Sequence, residues 1–373
     1  MDKERNSNFE LLRIVSMFFI VLYHTIVHGN VINNCNNEGL KFIFEIMVLI
    51  SIVHVNSFVL VSGYFQSKSK FKQSKLWSII SANVFYKIAI VFVLSLLGIR
   101  TFTKVEIFRA MFPLNLHEYW FIGNYLILYC LSPFINMFIE SLDKKNYKKL
   151  LIVLFVIFSI IPYLTGNRAV DNTGFTLYNF IYLYLIGGYL RLYPIEKCYI
   201  FKKMSRELLQ IVLIFIFFSC VIVNYSFSTT ATTLLNTNSI FNELADWITF
   251  MTKNYSNPFI MIQTVAYFSF FGTLKIKSKI INWLSKLTFG IYLIHDNNYI
   301  RANLYNWLKV NRQGISSYKC VIYIIVISLF IYIICSIIEI IRQVIFKLVS
   351  KMKLSKKIRK DYYELVNKIS MRS

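Results

Sequence analysis

The stretch FELLRIVSMFFIVLYH, residues 9–24, sets a carboxylate, a guanidinium and an imidazole into one apolar run: Glu10, Arg13 and His24. On a helix, the step from Arg13 to His24 is about 16 Å of rise, and turns of about 100° per residue return His24 to nearly the same face. Glu10 lies one turn below Arg13 on that face. Ionisable groups at such depth in lipid are costly and normally look into a protein interior or a watered cavity. The plain reading has Arg13 reaching headgroups, or pairing with Glu10 alone, and His24 as a hydrogen-bonded interior histidine. The sharper reading makes them two ends of one path. Arg13 would hold an anionic group, because a guanidinium matches phosphate in a bidentate way. His24 would act as general base, since an unperturbed imidazole pKa of about 6.5 suits proton transfer near neutrality. A ligand that joins those roles has phosphates at one end, a reactive centre at the other and a thin spacer between. Acyl-coenzyme A has that shape.

The rest of the chain says what must hold such a helix. Its 373 residues are 56% hydrophobic, 17% aromatic and only 16% charged, and the mean hydropathy is +0.54. Apolar runs of about 20 residues recur along the whole length; in lipid they must be helical, because no water is there to satisfy the backbone. The expected fold class is an all-α polytopic membrane protein of about ten transmembrane helices, with cores near 11–29, 41–65, 76–97, 119–139, 149–165, 175–190, 208–228, 258–273, 283–298 and 319–346. The span 283–298 is the weakest, being short and carrying His295, Asp296 and two asparagines. The first run is too long for a secretory signal and has no small-residue cleavage site after His28-Gly29, so it reads as a retained span. One integral domain, 1–346, and a basic cytoplasmic tail, 347–373, describe the organisation. The six cysteines are scattered without a CxxC pair, so neither a disulfide framework nor a metal site is expected.

The net charge of +23 raises the question of nucleic acid, but its placement answers otherwise. The segments QSKSKFKQSK (66–75), DKKNYKK (143–149) and KIKSKIINWLSK (275–286) carry four cations each, and RLYPIEKCYIFKKMSR (191–206) carries five. The intervening loops are poor in Lys and Arg. That alternation is the positive-inside pattern of an even number of spans, with both termini cytoplasmic. The charge reads as a topology and lipid-headgroup signal rather than a nucleic-acid surface.

Other polar positions in apolar runs are weaker candidates. Tyr292 and His295 stand at i, i+3 and share one helix face, so they can line the same cavity, although a structural hydrogen bond is the plainer role for His295. Glu45 and His54 fall on opposite sides of a straight helix and cannot both face one cavity unless it is distorted. Trp120, with His117 and Glu118 beside it, reads first as an interfacial anchor and second as a surface for sugar stacking.

At this point the sequence resembles the membrane acyltransferase-3 family. FELLRIVSMFFIVLYH is similar to that family's acidic-Leu-x-Arg motif with a membrane histidine further along, Glu10 standing where aspartate is commoner. FVLVSGYF (58–65), EYWFIGNYLILYCLSPFIN (118–136), LIGGYLR (185–191) and LSKLTFGIYLIH (284–295) resemble later segments in the same order, the second of them especially in Gram-positive members. The likeness covers roughly residues 5 to 345. After the Ser-Gly-Tyr segment, where members often have arginines, this chain has lysines, and the membrane unit is expected without the esterase-like domain fused to some relatives. The resemblance implies transfer of an acyl group, usually acetyl, from coenzyme A to a hydroxyl of a surface polysaccharide or its lipid-linked precursor. It implies His24 as general base and Arg13 as a donor-phosphate ligand, with Arg5, Lys68 and Lys70 as further phosphate contacts and Lys72 and Lys75 beside them. Glu10, Tyr292, His295 and Trp120 would support the substrates or the site. Acetyl-CoA is then a co-substrate, no metal takes part, and the partners are the glycan acceptor and membrane lipids.

A lipid-linked oligosaccharide flippase or a glycan polymerase shares the span count and aromatic richness, but needs no Arg and His on one face of the first helix. A membrane scaffold explains insertion and not the polar stripe. Richness in Ile, Asn, Lys and Phe, with the Gram-positive-like segment, points to a bacterial plasma membrane and a capsule or wall polysaccharide.

Overall fold

The computed structural model describes residues 6–112, 119–165, 174–237, 242–312 and 314–351. Among them the chain is helical throughout, the one β-type contact being an isolated bridge between Cys35 and Ile315. In order the helices are α1 (Ser7–His28), α2 (Glu38–Ser51), α3 (His54–Gln66), α4 (Gln73–Leu96), α5 (Lys104–Ala110), α6 (Trp120–Ser141), α7 (Lys144–Phe155), α8 (Ile161–Thr165), α9 (Leu177–Leu192), α10 (Arg206–Thr237), α11 (Asn242–Met251), α12 (Pro258–Thr273), α13 (Lys279–Leu284), α14 (Thr288–His295), α15 (Asn298–Trp307) and α16 (Lys319–Lys351).

Seven of the stretches have the length and apolarity to cross a membrane: Ser7–His28, Glu38–Gln66, Gln73–Leu96, Trp120–Ser141, Lys144–Thr165, Arg206–Ala231 and Lys319–Val349. The shorter α9, α12 and α13–α14 occupy the other three expected positions. Phe92, Leu96, Phe215 and Ile322 stand exposed on the outside, as the lipid-facing side of a membrane bundle requires, because lipid removes the reason to hide them. The expected tail, 347–373, lies mostly outside the described residues, and α16 runs unbroken through position 346.

The expected second span is not one helix. It breaks at Ile52–Val53, and α3 restarts at His54. That break resolves the conflict between Glu45 and His54: Glu45 stays half-buried on α2, whereas His54 is fully buried with its ring 6.5 Å from that of His24. The fifth span also departs from a plain helix, passing through a π-helical turn at Val156–Ile160 just ahead of Pro162. Proline cannot donate back into the ladder, and a π turn is one way a helix absorbs the lost bond. Outside the spans, Thr103 caps α5 reciprocally with Glu106, and that backbone bond holds the Glu106 carboxyl below its usual range.

Helix α1 is the centre of the molecule. It touches α2, α3, α12, α13, α14 and α16, and its buried residues serve two apolar cores. Met17, Ile20, Val21 and Ile26 belong to one, with Phe44, Tyr86, Ile291 and Ile324. Phe9 and Leu12 belong to the other, with Val59, Leu60, Phe180, Tyr184 and Phe268. The second core contains a close backbone approach between α3 and α9. At Gly63 a Cβ would run into the backbone of Tyr184, and at Gly187 into the backbone of Leu60 and Tyr64. Small residues that bring two backbones together are the usual device where lipid gives helices no hydrophobic reason to associate. The segments SGYF and LIGGYLR, unconnected as sequence, are therefore the two sides of one crossing.

Polar pins fix α1 lengthwise. The Ser278 amide donates to Ser7 Oγ at 3.0 Å, Asn8 Nδ2 donates to the Phe271 carbonyl at 3.0 Å, and Ser16 and Tyr267 share a hydroxyl bond at 3.3 Å. On the other side, Glu339 of α16 accepts from Tyr86 at 2.6 Å and from Arg342 at 2.6 and 2.7 Å, a buried network tying α4 to α16. Arg13 approaches Phe65, Arg191 donates to Tyr64, and Ser7 meets Ser278. The segments rich in Lys and Arg therefore gather at one end of the bundle, called the basic end below.

Candidate active site

Helix α1 presents Arg13, Met17, Ile20, His24, Val27 and His28 to a cavity of about 550 Å³. The spacing of three or four residues is one helix face, so a single stripe lines the space from end to end. Helix α3 runs antiparallel beside it, with Phe65 near Arg13 and His54 near His24. Aromatic and apolar groups such as Phe58, Phe121, Tyr125 and Phe289 form the remaining wall, and Lys75 joins Arg13 at the basic end. At the opposite end stand Asp296 and Arg301.

The centre of the site is built where α14 ends. His295 is the last residue of α14, and its Nδ1 lies 2.6 Å from the Ile291 carbonyl one turn back. A carbonyl only accepts, so this nitrogen carries the proton and, in the neutral ring, Nε2 is a bare acceptor. That acceptor lies 3.2 Å from His24 Nδ1. Two lone pairs do not face each other at that distance, so His24 Nδ1 donates and the lone pair of His24 is on Nε2. Asp296 Oδ1 stands 3.5 Å from the same Nδ1, which favours the proton there and favours a positive ring if Nε2 takes up another. Asp296 is itself held by Arg301, whose guanidinium donates to Oδ1 at 2.9 Å and to Asn298 Oδ1 at 2.9 Å.

The turn that places these groups has its own cause. Asn297 caps α15 by accepting the Tyr299 amide at 3.0 Å, the standard use of Asn at a helix start. Its Nδ2 donates to the Tyr119 hydroxyl at 2.9 Å, and Tyr119 donates to the Leu293 carbonyl at 2.6 Å. The start of α6 is thus stapled to the end of α14. The neighbouring wall is pinned in the same manner: Asn56 Nδ2 donates to the Tyr255 carbonyl at 2.9 Å, Asn124 Nδ2 to that of Phe175 at 2.7 Å, and Trp120 stacks on Tyr255 at 6.0 Å.

Of the residues singled out in the sequence, Arg13, His24, Tyr292 and Trp120 meet on the wall of this one cavity. His295 lies directly behind His24. Glu10 is buried and accepts from Arg13, with 3.0 Å between Arg13 NH1 and Glu10 Oε2, so it orients the guanidinium rather than lining the space. Lys68 and Lys70 are exposed in the loop between α3 and α4 and are not on the cavity wall. The lysine that is there is Lys75, its ammonium over the Tyr129 ring at 4.8 Å. Arg5, His117 and Glu118 lie outside the described residues. Sequence reasoning did not assign roles to Asp296, Arg301 or His28. The polar run HDNN inside an apolar segment was the signal for Asp296, read only as a weakness of that span, and His28, one turn past His24 on α1, carried a signal of its own in that spacing.

Residues 6–340 match the family described as an acyltransferase domain, the acyltransferase-3 family. The chain belongs to that family. Its match spans nearly the whole protein, from the first residue before α1 into α16, so the stripe on α1 and the His295–Asp296 turn both fall within the acyltransferase domain. The chain is therefore an enzyme of the acyl-transferring kind, built as a multi-pass membrane protein. Neither the curated proteins nor the solved structures contain a match to this acyltransferase.

Proposed function

We propose that this acyltransferase moves an acyl group, acetyl in the simplest case, from acyl-coenzyme A to a hydroxyl of a cell-surface polysaccharide or its lipid-linked precursor. The observation that carries the reading is the shared cavity of Arg13 and His24. Arg13 and Lys75 supply cations where the donor's phosphates would sit, and the pantetheine arm is the thin spacer that a narrow helical interior admits. His24 Nε2 accepts the proton of the acceptor hydroxyl as its oxygen attacks the thioester carbonyl. The C–S bond breaks, and the proton passes from Nε2 to the departing thiolate, so the ring ends as it began. His295 and Asp296 act through His24: the first fixes its tautomer, and the second stabilises the ring while it is charged. In this reading the chain crosses a bacterial plasma membrane about ten times, with the basic end and both termini cytoplasmic, as its loop charges favour.

Mass spectrometry of surface glycan from cells with and without the protein tests the reaction. Loss of O-acyl groups alone is the expected result; intact acylation, or loss of the glycan chains themselves as for a flippase or polymerase, would end the proposal. His24→Ala should remove acylation while the protein remains inserted, general-base catalysis being worth roughly 10²–10⁴-fold.

A further inference from the structure

The anchoring of the His295 ring, which serves the tautomer of His24, also suits a second kind of chemistry. Its Nδ1 donates to a backbone carbonyl, leaving Nε2 bare and aimed at a second imidazole. That is the outer-shell pattern of metal-ligating histidines, whose remote N–H is anchored to a carbonyl or carboxylate. Around His24, which this nitrogen faces, the chain assembles further donors. His24 and His28 stand at i, i+4 on α1, ring centroids 4.8 Å apart. Donor atoms of His24, His28 and Asp296 all lie within 4.8 Å of one another. In a tetrahedral zinc site with bonds of about 2.0–2.1 Å, neighbouring donors are roughly 3.4 Å apart. His24 Nδ1 already lies 3.2 Å from His295 Nε2 and 3.5 Å from Asp296 Oδ1. His295 stands outside that close group and joins it through His24, so the His28 and His295 rings must both close in; His28 is exposed at the cavity's far end, where its ring stacks on Tyr305.

We propose that His24, His28, His295 and Asp296 form a binding site for a divalent transition-metal ion of the zinc type, and that the bound ion silences acyl transfer. Three imidazoles and one carboxylate suit such an ion better than magnesium or calcium, which prefer all-oxygen sets. The ion replaces the proton that His24 Nδ1 shares with His295 Nε2. A neutral ring bound through Nδ1 keeps its single proton on Nε2, so the proton moves across the ring and none is released. His24 then has no lone pair for a hydroxyl. Arg301, 2.9 Å from Asp296 Oδ1, keeps the carboxylate in place, and its fixed charge weakens the ion's hold. The block is consequently reversible. This inhibitory role rests on His24 being the general base; the site itself does not.

The experiment uses the full chain, purified in detergent and stripped with chelator, and titrates it with Co²⁺ and then Zn²⁺ alone. Expected is one ion per chain, with the strong visible d–d bands of four-coordinate cobalt, bleached when zinc displaces it. His28→Ala should weaken binding about tenfold or more, and His28→Ala with Asp296→Asn should abolish it, while both variants unfold at the wild-type temperature. In a glycan acetylation assay zinc should inhibit the wild type, EDTA should restore it, and His28→Ala should need about tenfold more zinc relative to its own zinc-free rate. A wild type that retains no ion, or whose binding ignores both substitutions, overturns the site. Zinc that leaves transfer unchanged or raises it overturns the block. The cobalt bands need no substrate, so a protein that binds metal but acylates no glycan would sink the transferase reading and leave the site standing.

Discussion

Asp296 is the residue whose contribution is easiest to isolate. It touches His24 Nδ1 on one side and Arg301 on the other, so replacing its charge without changing its shape removes one effect at a time. Asp296→Asn keeps a side-chain oxygen within reach of Arg301 but would no longer stabilise the positive His24 ring of the proposed transfer step. The expected outcome is a fall in turnover of about 10²-fold or more, in the range of general-base contributions, with binding of acyl-coenzyme A changed less than about twofold. Steady-state kinetics and a donor titration check it, and undiminished turnover would remove Asp296 from the mechanism. Arg13 should behave in the opposite sense, because it lies at the basic end of the cavity. Arg13→Ala is expected to raise the acyl-coenzyme A requirement about tenfold, the scale of one lost charge-assisted contact of about 1.5–3 kcal/mol. An unchanged donor dependence would count against it. Arg13 and His24 were legible because both stand on one helix, where spacing alone decides the face. The pairing of His24 with His295 was not, since the two are separated by 271 positions and meet only through packing.

Between elements, the α3–α9 crossing carries the clearest test, because two glycines there face backbone rather than flexible side chains. A Cβ at Gly63 meets Tyr184, and one at Gly187 meets Leu60 and Tyr64. Backbone cannot swing aside, so Gly63→Ala and Gly187→Ala must push the helices apart and should each cost about 1–3 kcal/mol or more. Gly272 on α12 is the control. Its added Cβ would meet only Phe9 Cζ, at an ordinary 3.7 Å. Gly272→Ala should therefore be neutral or stabilise by up to about 1 kcal/mol through helix propensity. Thermal unfolding in detergent separates the two cases, and equal behaviour of all three variants would contradict the crossing. Both glycine segments stood out in the sequence through their resemblance to family segments. Their mutual contact could not, because sequence periodicity gives a helix's face and not the identity of its neighbour. The break at Ile52–Val53 was likewise hidden: the stretch from Glu38 to Gln66 is long and apolar enough on average to read as one span, and only the demand that His54 turn inward gives it away.

At the scale of the molecule, the helices surround one cavity that joins a cationic end to a histidine about 16 Å away along α1, a rise set by helix geometry. Composition and loop charge are enough to expect a polytopic bundle; a cavity is not, since its walls come from α1, α3, α4, α6 and α14 together. The arrangement makes a demand on the middle of the path that neither end makes. Ser62 lines the cavity between the levels of Arg13 and His24, its hydroxyl turned back to the Phe58 carbonyl at 2.9 Å. A phenyl ring there would stand in the way of a pantetheine arm while leaving both Arg13 and His24 in place. Ser62→Phe is therefore expected to lower acyl transfer at least about tenfold and to leave binding of adenosine 3′,5′-bisphosphate, the phosphate-bearing end of the donor, close to wild type. Arg13→Ala should weaken that same nucleotide. The two variants thus dissect one path into a mouth and a throat. If Ser62→Phe transfers acyl groups at the wild-type rate, the donor does not pass this point, and the thioester must reach His24 from the other end.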